Sequence, residues 1–371
     1  MKEPKIRFKG FRGEWEEKAL GCCVAFWDSM RQPIEEVKRI KGIYPYYGAS
    51  GVVDYINDYI FDEELILLSE DGANITDRNY PVCFIARGKY WVNNHAHVLK
   101  ANKGFDNVFL CNNLERKDYT QYNTGMAMPK LNKEVCIRIP VFYPILPEQQ
   151  SISSYFQHLD SLIQSTTKKI ESLKQVKAAS LQSMFPQEGE TTPRVRFKGF
   201  EGEWEETTIG KVTSVKRGVR VTRKNLRDHG LYPVYQNTDY PMGYYNRYNV
   251  ESNNPFVIIG GSAGLIGFCD KDFWAADDCA YFSDSVKLDK SYLYSMLLNK
   301  SSEIKKNVRG SSVPRLDRQV INDLNIILPS ITEQRAIASY FTNLDRQITL
   351  QTQRLEKLKQ IKSACLDKMF V

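Results

Sequence analysis

The feature that most constrains this chain is that it says the same thing twice. Residues 148–185, EQQSISSYFQHLDSLIQSTTKKIESLKQVKAASLQSMF, return without a gap as EQRAIASYFTNLDRQITLQTQRLEKLKQIKSACLDKMF at 333–370, with 19 of 38 positions identical. Upstream, PKIRFKGFRGEWEEKALG (4–21) recurs as PRVRFKGFEGEWEETTIG (193–210), identical at 12 of 18 positions. The repeated unit is half the chain, far longer than the roughly 20–50 residues of a stacked solenoid unit. A duplication of this size builds a molecule with two similar ends.

The longer repeat carries a helix signal. Ile152, Phe156, Leu159, Ile163, Thr166, Ile170, Leu173, Lys177, Ser180 and Met184 step by alternating fours and threes, and Ile337, Phe341, Leu344, Ile348, Gln351, Leu355, Leu358, Lys362, Cys365 and Met369 do so in the second copy. That is a heptad seam on a segment with no internal Gly or Pro. Pro147 suits a first helical position, and Ser330 with Glu333 has the S-x-x-E form of a capping box. Such a helix is about 57 Å long at roughly 1.5 Å per residue, too long to hide its seam alone. Two of them are therefore expected to pack on each other through Ile152, Phe156, Leu159 and Ile163 and through Ile337, Phe341, Leu344 and Ile348. Thr166, Gln351 and the two seam lysines, Lys177 and Lys362, are polar positions suited to setting register.

Between the copies, PQEGETTP (186–193) is polar and broken by two prolines and a glycine, a linker composition. The expected order is a globular part at 1–146, a long helix at 147–185, a linker at 186–192, a second globular part at 193–331 and a second long helix at 332–371. Short β-rich segments dominate the globular parts, among them ELILLSEDGANI (64–75) and PFVIIGGSAGLIGF (255–268), each an apolar strand running into a small-residue turn. NTGMAMPKLNKEV (123–135) and VRGSSVPRLDRQV (308–320) share glycine, proline, a basic residue, leucine and valine at one offset. The fold class is α+β: two similar α/β globular parts, each followed by a long helix, with the helices pairing antiparallel in approximate two-fold symmetry.

The composition is 42% hydrophobic and 26% charged, with no apolar run long enough for a membrane span. MKEPKIRFKG has no apolar signal core, so export is not expected. The eight cysteines form no C-x-x-C pair, so neither a zinc site nor a disulfide framework is indicated, and a cytoplasmic location with reduced thiols is expected. A net charge of +7 is compatible with a polyanionic partner without requiring one.

The glycine cluster GGSAGLIG (260–267) lacks the spacing of a dinucleotide or P-loop fingerprint. It reads as a tight turn, whose missing side chains also suit close approach to a nucleic acid backbone. KRGVRVTRKNLR (216–227) holds six basic residues and no acid. It suits phosphate contacts through Lys216, Arg217, Arg220, Arg223 and Lys224, or is a solvated basic loop. N-N-H-A-H (93–97) puts His95 and His97 on one face if the segment is a strand. Metal binding lacks further ligands at a helpful spacing; contact with bases and plain local hydrogen bonding both stand. No nucleophile–base arrangement, nuclease motif or methyltransferase Asn/Asp-Pro-Pro-aromatic tetrad is present, so no catalytic residue and no metal are assigned.

The residues P-x-x-P-E-Q-Q-x-I-x-x-Y-F-x-x-L-D-x-x-I (144–163), repeated as P-x-x-T-E-Q-R-x-I-x-x-Y-F-x-x-L-D-x-x-I (329–348), resemble the specificity subunits of type I restriction–modification systems. R-F-x-G-F-x-G-E-W-E at 7–16 and 196–205, Y-P-Y-Y-G-A-S-G (44–51) and W-V-N-N-H-A-H-V-L (91–99) carry the same resemblance. It implies a non-catalytic protein whose globular parts are target recognition domains for the two halves of a split double-stranded DNA target. The helices would be a coiled-coil spacer that docks two modification subunits, which methylate adenine with S-adenosylmethionine. Restriction subunits would add cleavage with ATP and Mg, and this chain would bind no cofactor itself. Candidate DNA contacts are Tyr47, Ser50, Asn93, Asn94, His97, Lys216, Arg217, Arg220, Arg223, Lys224, Asn237 and Ser262. The second part has Gln236-Asn237-Thr238 where the first has Gly-Ala-Ser, and it shows no sequence counterpart of N-N-H-A-H. The competing readings are a self-contained restriction or methylation enzyme and a coiled-coil scaffold that binds only protein.

Overall fold

A computed structural model describes residues 2–187 and 189–371. Glu188, inside the expected linker, lies outside the described residues, as does the side chain of Arg223. The chain divides into two compact units, Met1–Thr167 with Arg354–Val371, and Lys168–Gln353. The division does not follow the helix boundaries: each unit takes the beginning of one long helix and the end of the other.

In the first unit, the fully buried strand Leu65–Ser69 lies between Ala96–Ala101 and Cys83–Ala86, and Val24–Phe26 completes an antiparallel sheet of four. Five consecutive buried residues fit a strand covered on both faces. A second sheet orders Gly51–Ile56, Lys41–Gly48, Lys89–Val92 and Phe61–Asp62, with one parallel pairing between Lys41–Gly48 and Lys89–Val92. Glu16–Ala19 pairs with Pro140–Tyr143 next to the start of the first long helix, Leu146–Ser183.

The second unit repeats this plan with different residues. Asn254–Ile258 is buried throughout, between Cys279–Phe282 and Ile266–Cys269, with Val215–Arg217 at the edge. Tyr232–Tyr235 pairs parallel with Trp274–Ala275, and Glu205–Thr208 pairs with Asn325–Leu328 before the second long helix, Ile331–Lys368. The α+β class is therefore found in both units.

Inside each unit the two long helices run antiparallel. In the first, Tyr155 meets Cys365 at 3.4 Å and Lys362 Nζ reaches Asp160 at 2.5 Å. In the second, Ser180 meets Tyr340 at 2.9 Å and Lys177 Nζ reaches Asp345 at 2.6 Å. Both seam lysines are thus neutralised by an aspartate of the facing helix.

The apolar start of each seam is not reserved for the other helix. Ile152, Phe156 and Leu159 sink into one core with Trp15, Phe109 and Phe370, and Ile337, Phe341 and Leu344 into another with Trp204, Tyr292 and Phe185. Ile163 and Ile348, further along, are half-buried. Aromatic rings explain the difference: Phe370 lies 5.4 Å from Phe109 and 5.9 Å from Phe156, and Phe185 lies 5.6 Å from Tyr292 and 6.1 Å from Phe341. The Met-Phe ends common to both copies of the repeat are plugs for the globular cores.

The expected capping box is half formed. Ser330 Oγ accepts from the Glu333 amide at 3.3 Å, but the Glu333 carboxylate turns away to Arg196, which holds it at 2.7 and 2.8 Å. Arg7 holds Glu148 in the same way, at 2.7 and 2.8 Å. Each guanidinium also donates to the turn before the tryptophan, Arg7 to Gly13 O and Arg196 to Gly202 O, both at 2.6 Å. The neighbouring glutamines complete the lock: Gln149 donates to Pro144 O at 2.9 Å and Gln334 to Pro329 O at 3.0 Å. A forked guanidinium matched to a buried carboxylate is a geometric clamp, and it accounts for the joint recurrence of R-F-x-G-F-x-G-E-W and E-Q.

Candidate nucleic-acid interface

The loops at one end of each unit are assembled by the same four backbone hydrogen bonds. In the first unit these are Asn93 N to Tyr47 O (3.0 Å), Glu70 N to His95 O (2.9 Å), Gly72 N to Pro129 O (3.0 Å) and Leu131 N to Glu70 O (2.7 Å). In the second they are Ala276 N to Tyr235 O (2.8 Å), Ile259 N to Asp278 O (2.8 Å), Gly261 N to Pro314 O (3.1 Å) and Leu316 N to Ile259 O (3.0 Å). The equivalences supply what the sequence did not show. The counterpart of N-N-H-A-H is Ala276-Asp277-Asp278-Cys279-Ala280, and Gln236-Asn237-Thr238 stands where Gly48-Ala49-Ser50 does.

Three candidate contacts of the first unit point inward. Tyr47 is half-buried, with its ring 5.5 Å from Tyr90 and 5.8 Å from Phe84, and burial raises its phenol above the ordinary range. Asn93 is buried and its Oδ1 accepts from His95 N at 2.8 Å, closing the turn. His97 is 1% exposed, with Nδ1 2.8 Å from Asp28 and Nε2 2.7 Å from Leu131 O. With an acceptor on each ring nitrogen, this imidazole is held as a cation. Burial alone would lower its pKa, but the hydrogen bond to Asp28 carries it up to about 10. His97 is thus a positioning cation under the turn and offers nothing to a base. Arg31 works beside it, donating to Ala96 O at 2.8 Å and to Glu70 at 2.6 Å.

Ser50 and Asn94 are exposed, and so is His95, which lies in the turn and not on a strand face with His97. His95 Nδ1 sits 2.8 and 3.0 Å from the two oxygens of Asp71, which orients the ring and leaves Nε2 outward. Among the described residues no group of three or more His, Cys, Asp or Glu is placed to hold a metal ion.

In the second unit Lys216, Arg217, Arg220, Lys224, Asn237 and Ser262 are all exposed. The structure draws Asn237 and Ser262 together, with Ser262 N 3.4 Å from Asn237 O. Arg217 Nε donates to Asp277 O at 2.6 Å, so the basic segment borders the same loops. Its path is fixed by Trp274 Nε1 to Val219 O at 2.7 Å, and a side chain at Gly218 would collide with the Ala276 carbonyl.

His95 was weighed from the sequence, but other polar groups at the rim were not singled out there: Asp71 and Lys130 in the first unit, Asp278, Arg309 and Arg315 in the second. Arg315 donates to Asp278 at 2.7 Å and is 58% exposed. For Lys130 and Arg315 the signal was the shared glycine, proline, basic residue and leucine at 125–131 and 310–316, a frame to which no role was attached; Asp71, Asp278 and Arg309 carried no such signal.

Both units also match one family model, that of the type I restriction modification DNA specificity domain, at residues 13–175 and again at 201–360. The chain belongs to that family. It is 24% identical to a putative type I restriction enzyme specificity subunit of Haemophilus influenzae, covering 92% of this chain and 90% of the relative. A type I restriction enzyme specificity subunit of Methanocaldococcus jannaschii is 21% identical over 95% and 91% of the two chains. Among solved structures, the S subunit of a type I restriction–modification system from M. genitalium superposes with a TM-score of 0.80 over 100% of this chain and 99% of its own, at 14% identity. In this member of the specificity family the two rims share a backbone frame and differ in polar contents.

Proposed function

We propose that this chain reads a two-part duplex DNA target, one part with the rim of each unit, and directs partner subunits that carry out the chemistry. The observation that carries the reading is the pair of rims, alike in backbone frame and unlike in the side chains presented. Two equivalent surfaces on one chain suit two halves of a duplex site. Lys216, Arg217, Arg220, Arg223 and Lys224 supply phosphate contacts, which give affinity and salt dependence, while Ser50, Asn94, Asn237 and Ser262 face the bases. The partners are two modification subunits that methylate adenine with S-adenosylmethionine, joined by restriction subunits that use ATP and Mg for cleavage. The chain works in the cytoplasm and is itself non-catalytic. Among the described residues no helix is long and apolar enough to cross a membrane.

Gel-shift titration against salt, with the chain alone and with its modification subunit, tests this. The expected result is a DNA complex whose affinity falls steeply as salt rises. Absence of DNA binding under both conditions would leave only a protein scaffold, and methylation or cutting of DNA by the purified chain alone would make it an enzyme.

A further inference from the structure

We propose that Arg315 is the side chain with which the second unit reads a guanine, an inference that rests on the DNA-specificity reading above. Its backbone is held from two sides. Arg315 exchanges hydrogen bonds with Arg309 at 2.8 and 2.9 Å, and the adjoining Pro314 O and Leu316 N bond to Gly261 and Ile259. Its side chain is aimed by one contact, Nη1 to Asp278 Oδ1 at 2.7 Å, while Asp278 is fixed in turn by the bond from Ile259 N to its carbonyl. No other side-chain hydrogen bond of Arg315 occurs among the described residues. One anchored nitrogen thus leaves the rest of a rigid five-donor fork open to solvent.

Guanine presents two acceptors, O6 and N7, on its major-groove edge, the pattern that such a fork matches with two parallel hydrogen bonds. The neighbouring glycine makes room for the arrangement. A Cβ at Gly260 would sit 2.7 Å from Arg315 Nη1 and would also collide with Asp278. Although Asp278 is mostly covered, Arg315 is 58% exposed, and an ion pair with one partner so open to water adds little to folding, so stability alone does not explain its construction. The first unit builds its rim from the same backbone positions with the roles moved. Asp71 stands where Gly260 does, His95 where Asp278 does and Lys130 where Arg315 does, and the carboxylate-held nitrogen there is on His95. Lysine is a point charge without a fork, so position 315 distinguishes the two readers.

The test is enrichment of bound duplexes from a randomised pool by the chain assembled with its modification subunits, comparing wild type with Arg315→Ala, Arg315→Lys and Asp278→Asn. The wild type is expected to yield a two-part consensus. Arg315→Ala and Arg315→Lys should each relax one guanine in one half by about 10- to 100-fold and leave the other half unchanged, which also reports that the variants are folded. Arg315→Lys should keep most of the affinity, and Asp278→Asn should relax the same position less. An unchanged consensus, or a uniform loss of affinity with every base preference intact, would overturn the proposal by making Arg315 a phosphate contact or a bystander. A wild-type complex that enriches no two-part consensus would instead sink the specificity reading on which the proposal stands.

Discussion

The two units are alike where they face their own long helices and unlike where they face solvent. Trp15 and Trp204, Arg7 and Arg196, Glu148 and Glu333, Gln149 and Gln334, and Phe370 and Phe185 make matching contacts at nearly the same distances. At the rim, His95 with Asp71 is set against Arg315 with Asp278. The contrast separates two kinds of constraint: a buried clamp tolerates little change, whereas an exposed side chain on a fixed backbone frame can be replaced without cost to the fold. A duplicated protein can therefore keep one architecture while its two surfaces come to present different chemistry.

The interiors are not wholly identical. Cys111 and Ile85 of the first unit are replaced at equivalent positions by Tyr294 and Phe268, whose rings lie 5.1 Å apart. Where the second unit is filled by these rings, with Lys177 Nζ 5.8 Å from the centre of Tyr294, the first has a cavity of about 920 Å³ whose lining includes Cys83, Cys111, Asp160 and Lys362.

The largest effect that could break the comparison lies in the clamps. Arg7→Met and Arg196→Met each leave a carboxylate that is 1% exposed without its partner, and each is expected to cost about 3–5 kcal/mol in urea unfolding of the full chain. Values for the two sites differing by more than about 2 kcal/mol would show that the clamps are not equivalent. Next come the plugs: Phe370→Ala and Phe185→Ala should each cost about 3 kcal/mol, read as a lowered unfolding midpoint. A negligible loss at either would mean that the helix ends do not complete the cores.

A third test separates the units by pH. His97 has its pKa raised in the fold, so its contribution is complete below the unfolded value near 6.5 and is lost as pH rises towards about 10. Asp28 beside it has its pKa lowered, so its share is present above its ordinary range and is lost in acid. The second unit carries Ala280 at the equivalent place. Hydrogen exchange from near neutral to alkaline pH should therefore show the first unit loosening with no matching change in the second, and His97→Gln should flatten that dependence. Parallel loosening of both units would contradict the assignment. The smallest effects belong to the seam: Lys177→Ala and Lys362→Ala remove partly exposed ion pairs and should cost about 0–1 kcal/mol in thermal unfolding. The loss should be greater at Lys177, which also lies over Tyr294.

Much of this was legible in the sequence because duplication marks what is constrained twice. Phe156 and Phe341 stood out by period, and Glu148 and Glu333 by recurrence. The clamp itself was not legible, since nothing local links Arg7 to a glutamate 141 positions away. The rim was harder still. His95 and His97 look alike on paper, yet a turn exposes one and a strand buries the other against Asp28. The counterpart of N-N-H-A-H shares almost no residues with it and is found only through backbone hydrogen bonds, which carry no side-chain signature.

On the function proposed above, two diverged rims on one frame read two different DNA segments. Sequencing of the methylated positions in a host expressing this chain with its partner subunits tests it most directly. Modified adenines are expected within a two-part motif whose specified segments differ and are separated by a gap of fixed length. A single uninterrupted motif, or methylation with no motif, would contradict it.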